Sequence, residues 1–78
     1  MNKARRKRIE EVISTLLDMR DEIYAIMDEE RDAFDNLPDG IQYSEKGEQM
    51  EECADAIEEA GDELDNVIEK LTEISEEY

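Results

Sequence analysis

The chain has 78 residues, nine Lys and Arg against 25 Asp and Glu, a net charge of −16 and only 5% aromatic residues. That length allows one small domain. With no His and a single Cys, the chain lacks an intrachain disulfide and the commonest general base and metal ligand.

So acidic a composition belongs to a disordered chain unless an apolar period runs through it, and one does. Lys3, Arg5, Arg6, Lys7 and Arg8 form a basic start, and all the carboxylates follow it. No apolar run behind this start is long enough for a signal peptide or a membrane span. The first helix is expected over about 3–36. Its apolar residues recur at three- and four-residue spacing: Ile9, Val12, Ile13, Leu16, Met19, Ile23, Ile26, Met27, Phe34 and Leu37. Ile9, Leu16, Ile23, Glu30 and Leu37 stand in one heptad column, where Glu30 reads as a register device.

The connection spans about 37–44 and holds the only Pro. Leu37-Pro38-Asp39-Gly40 has the residues of a type I turn. Proline also disfavours helix in the residue before it, so the first helix should end near Asn36 or Leu37. Phe34, Leu37, Ile41 and Tyr43 crowd four large apolar groups into this segment. They form either a hydrophobic plug or a binding tip.

Ser44 is an N-cap candidate for the second helix, expected over about 45–77. Gly47 spoils a full capping box there. The second column is Met50, Ile57, Leu64, Leu71 and Tyr78, beside Cys53, Ala54, Ala60, Gly61, Val67, Ile68 and Ile74. Gly61 costs about 1 kcal/mol against Ala in a helix interior, which fits close approach of another helix. Folding the chain back near residue 41 puts Gly61 opposite Ile23 and Tyr24. The fold class expected is therefore all-α, an antiparallel two-helix hairpin of coiled-coil type. Apolar residues on both flanks of each stripe, such as Val12/Ile13 and Val67/Ile68, suit dimerisation into a four-helix bundle.

Charge is arranged to match. Arg5, Arg6 and Arg8 at one helix start and Glu73, Glu76 and Glu77 at the other helix end both oppose the helix dipoles. An antiparallel pairing sets them side by side as a clamp. That reading is preferred to nucleic-acid binding by the basic start, because the acidic remainder repels a polyanion. No calcium-loop spacing or Gly-rich phosphate loop occurs. Cys53 reads as a small inward packing residue. No catalytic, cofactor-binding or metal-binding residues are expected, and the chain does not read as an enzyme.

Ala4-Arg5-Arg6-Lys7, the approach to Phe34-Asp35-Asn36-Leu37-Pro38, and Ile41-Gln42-Tyr43-Ser44-Glu45-Lys46-Gly47-Glu48 before an Ala/Asp/Glu-rich helix carry a resemblance. The chain resembles short acidic uncharacterised proteins of phages and prophages of Gram-positive bacteria. The resemblance implies origin in a mobile element. A lone thiol suits a reducing cytosol, and with no apolar run for a signal peptide the expected location is the cytoplasm of a bacterial host. Two functions are then expected to compete. One is an acidic inhibitor of a basic nucleic-acid-handling or antiviral-defence protein, with Asp28, Glu29 and Asp32 on the first helix and Glu58, Glu59 and Asp62 on the second as partner-binding residues. The other is a self-associating accessory protein with no foreign ligand. Phe34, Leu37, Ile41 and Tyr43 are the alternative binding tip.

Overall fold

A computed structural model describes all 78 residues as helices and short connections, with no strand. Helix α1 spans Lys3–Asp35, α2 spans Asp39–Gln42 and α3 spans Glu45–Glu77. The two long helices have 33 residues each, and they pack along their length into a rod of 59 × 14 × 12 Å. They run antiparallel: Arg20 reaches Asp65, Arg31 reaches Asp55, and the Met1 ammonium donates to the Tyr78 carbonyl at 2.7 Å.

Local chemistry sets the helix limits. Asn2 caps α1 by accepting the Arg5 backbone N–H at 2.9 Å, which satisfies one orphan donor of the first turn. Helix α1 stops at Asp35, three residues before Pro38, with Asn36 as its C-cap. Ser44 caps α3, its hydroxyl accepting the Gly47 N–H at 3.5 Å. The helix begins at Glu45, as the capping residue requires.

The connection differs from the type I turn expected of it. Pro38 has φ −57° and ψ 145°, so its φ suits the turn but its ψ is extended. The Pro38 carbonyl instead accepts Ile41 N–H at 2.8 Å and Gln42 N–H at 3.0 Å. These bonds open the single helical turn α2. Gly40 needs no special conformation, since no residue in the chain has positive φ.

Gly47 and Gln42 lock this closed end. A Cβ on Gly47 would lie 2.1 Å from the Gln42 carbonyl oxygen and 2.7 Å from that of Ile41. Only glycine lets the first turn of α3 lie so close to the backbone of α2. The Gln42 side-chain amide then donates to the Phe34 and Asp35 carbonyls, at 3.1 and 3.2 Å. Two orphan carbonyls at the end of α1 are thereby satisfied.

The contact between α1 and α3 follows strict heptads. The five buried residues of the chain, Gly47, Ala54, Gly61, Ile68 and Ser75, are seven apart in one column of α3. Met50, Ile57, Leu64 and Leu71 are half-buried beside them. From α1 come Ile13, Met27 and Phe34 in one column and Ile9, Leu16, Ile23 and Glu30 in the next, which Leu37 continues just past the helix end, all half-buried. Small residues down the centre of α3 let larger ones of α1 pack over them. Gly61 shows this directly: a Cβ there would stand 2.6 Å from the Tyr24 ring, as the expected fold-back implied.

Two expectations are corrected. Cys53 is exposed, because the inward column passes through its neighbour Ala54, which is 1% exposed. The terminal clamp forms no ion pair within 4 Å; the four ion pairs all involve Arg20 or Arg31. The chain ends do meet, through Met1 and Tyr78. Arg5, Arg8, Glu73, Glu76 and Glu77 point to solvent, and the half-buried Arg6 keeps an Nε without a partner.

Candidate functional site

The two sides of the helix pair differ in chemistry. Along one side runs a row of polar contacts between α1 and α3. Arg20 donates to Asp65 at 2.6 Å and also pairs with Asp21 at 3.1 Å. One turn on, the Tyr24 hydroxyl donates to Asp62 at 2.6 Å. Two turns further, Arg31 bridges Asp55 at 3.2 Å and also contacts Glu58. Near the chain ends, Ser75 donates to Glu10 at 3.5 Å.

These contacts hold protons in place. The Tyr24 hydroxyl is pushed up to about 12, first by its bond to Asp62 and then by partial burial, because both favour the neutral phenol. Arg20 is raised above its ordinary value by its bonds to Asp65 and Asp21, and Arg31 by its bonds to Glu58 and Asp55. Both guanidinium groups are therefore permanent cations at any physiological pH.

The opposite side is apolar. On α1 the column Val12, Met19, Ile26 and Ala33 lies on the flank away from the ion pairs and is exposed, with Met19 at 54% and Val12 at 49%. On α3 the matching column is Cys53, Ala60, Val67 and Ile74, with Val67 at 49%. Polar contacts join one flank of each helix, so the other two flanks meet on the far side of an antiparallel pair. They make one continuous apolar face. At its terminal half, on the α1 side, it opens into a groove of about 740 Å³ lined by Ile9, Val12, Leu16 and Met19, with Arg5, Arg8, Glu11 and Thr15 at the margin. Isolated exposed apolar residues are common, but a contiguous strip on both helices is a candidate contact surface.

The carboxylates expected to bind a partner separate into two kinds. Asp28, Glu29 and Asp32 are exposed on α1 and make no side-chain bond, and Glu59 on α3 is the same. Glu58 and Asp62 are occupied within the chain by Arg31 and Tyr24. The tip residues also divide. Phe34 and Leu37 are half-buried, whereas Ile41 is 40% and Tyr43 is 85% exposed. The inner two plug the closed end, and Tyr43 projects from it.

The apolar face was readable from the paired positions such as Val12/Ile13, but which member of each pair faces out was not. The Gln42–Gly47 lock had no sequence signal beyond the glycine itself. No three His, Cys, Asp or Glu side chains converge closely enough to hold a metal ion. No helix is long and apolar enough to cross a membrane. Comparison of the chain with protein-family models, curated proteins and solved structures gives no match.

Proposed function

We propose that this chain is a non-catalytic acidic interaction protein of a phage or mobile element. It acts in the cytoplasm of a bacterial host, on a basic nucleic-acid-handling or antiviral-defence protein. The observation that carries this reading is the state of the carboxylates. Ion pairs engage Asp21, Asp55, Glu58 and Asp65, four of the 25 acidic residues. The remainder are spread over a rod 59 Å long. Acids three or four apart on a helix stand about 5–6 Å from each other, near the spacing of phosphates along a strand, about 7 Å by geometry. Such a surface fits a basic groove and binds it fast and in a salt-sensitive way.

The test uses carboxylates that make no contact within the chain. Changing Asp28, Asp32 and Glu59 together to Lys should leave helicity intact by circular dichroism. It should abolish capture of a basic protein from bacterial lysate at low salt, capture that the native protein also loses at high salt. Retained capture by the folded triple variant would sink the reading.

A second reading, a self-associating accessory protein with no foreign ligand, is favoured by the apolar face. In it two hairpins pair through their apolar faces into a four-helix bundle. Light scattering at micromolar concentration should then give twice the chain's 9.1 kDa, and a monomer mass would remove this reading.

A further inference from the structure

We propose that the occupant of the apolar face is a second copy of this chain, lying antiparallel to the first, the terminal end of each over the closed end of the other. This rests on the self-associating reading and adds orientation and register.

The face has the size for it. The rod is 59 Å long and 14 Å across, so one whole side of it projects about 800 Å², the most that a copy can cover and the area typical of a specific, stable interface. Its apolar surface supplies the driving force, against the mutual repulsion of two chains of charge −16.

The charges at its margins select the orientation. Gly61 lies at Tyr24, Asp65 at Arg20 and Ser75 at Glu10, so residues whose numbers total 85 stand at the same height. Along the α1 margin, one heptad column holds Arg8 in the terminal half and Glu22 and Glu29 toward the closed end. Along the α3 margin, the corresponding column holds Lys70 and Glu77 in the terminal half and Glu63 toward the closed end. All six are exposed. The bases of the rim, Arg8 and Lys70, therefore both lie in its terminal half, beside Glu77, whereas toward the closed end these columns carry only acids.

A two-fold axis crossing the rod near the height of Val67 and Met19 superposes these margins with opposite signs. Arg8 then meets Glu29 of the second copy, and Lys70 meets Glu63 of the second copy. The symmetry makes each pair twice. The same register stacks Val67 on Val67 and Met19 on Met19 at the centre. The parallel alternative sets Arg8 against Glu77 of the second copy but also Glu22 against Glu63, each twice, so its one attraction is offset by a like-charge contact, whereas the antiparallel register makes two attractive contacts and no like-charge one among these columns.

Two experiments read the orientation, and the mass by light scattering separates it from self-association itself. Arg8→Glu should weaken the dimer about tenfold, and Glu29→Arg likewise, whereas R8E/E29R should restore it. Arg8 and Glu29 are about 30 Å apart along α1 at 1.5 Å per residue, so no rescue is available within one chain. In a Cys53→Ser background, Val67→Cys should oxidise to a disulfide-linked dimer. The native Cys53 should not, because the two copies hold it roughly 40 Å apart. A dimer in which the double swap fails to rescue, or in which native Cys53 crosslinks and Val67→Cys does not, overturns the antiparallel arrangement. A monomer mass for the native protein overturns self-association and this proposal with it.

Discussion

The closed end and the open end of this rod are built in opposite ways. At the closed end, backbone lies on backbone: Gly47 admits the carbonyls of Gln42 and Ile41, and the Gln42 amide binds the end of α1. At the open end, five basic residues stand near Glu73, Glu76 and Glu77, yet none of them pairs with these acids, and the ends are joined instead by the Met1 ammonium on the Tyr78 carbonyl and by Ser75 on Glu10. Opposite charge in the right neighbourhood is not contact. Long, solvated side chains lose entropy when held in one geometry, and in water the pairing returns little. A missing Cβ needs no such ordering.

The largest effect expected follows from that difference. Gly47→Ala should destabilise the protein by about 2 kcal/mol, within the usual range for overpacking, even though alanine is the better helix former. For a chain of this size that lowers the melting temperature by roughly 10 °C. Neutralising Glu76 and Glu77 together should move it far less. Equal effects in thermal melts would erase the distinction between the two ends.

A subtler contrast lies mid-rod, where Gly61 meets the Tyr24 ring. Gly61→Ala should destabilise the native chain, because the ring must move and its bond to Asp62 must break. In a Tyr24→Ala background the same change should stabilise by about 1 kcal/mol, the plain helix-propensity gain. The same sign in both backgrounds would mean that the glycine is not placed by close approach.

The smallest effect is a pH dependence. Tyr24 holds its proton up to about 12 in the folded chain, against 10.0 for free tyrosine. The folded state thus binds more protons than the unfolded state between these values, and stability falls as pH rises through them. The contribution is complete below pH 10 and gone above about 12. Urea melts across this window should show a negative slope in the native protein that Tyr24→Phe reduces.

Helix positions were legible because the heptads run from Ile9 to Leu37, interrupted only by Glu30, and from Met50 to Leu71, and because Pro38 and Ser44 act locally; the capping by Asn2 was not anticipated. The pairing of Gly61 with Tyr24 was legible from counting alone, since an antiparallel fold-back sets the register. The turn was not: proline restricts φ, while the ψ of 145° at Pro38 is chosen by the hydrogen bonds that start α2. Gly47 read only as spoiling the capping box of the second helix, because the carbonyls it admits belong to another element. Cys53 and Ala54 are neighbours of similar size, and only packing against α1 decides which turns inward. For the same reason the sequence could not show that Glu58 and Asp62 are engaged within the chain while Asp28, Glu29, Asp32 and Glu59 are free.

The Gln42–Gly47 lock also bears on the order of assembly. It joins residues separated by few others, so the chain entropy lost in forming it is small. The bond between Met1 and Tyr78 closes nearly the whole chain. Folding should therefore nucleate at the locked end and zip toward the termini, with low contact order at the start and high contact order at the finish. In kinetic terms Gly47→Ala belongs to the nucleus and should slow folding, whereas changes near Met1 and Tyr78 should chiefly speed unfolding.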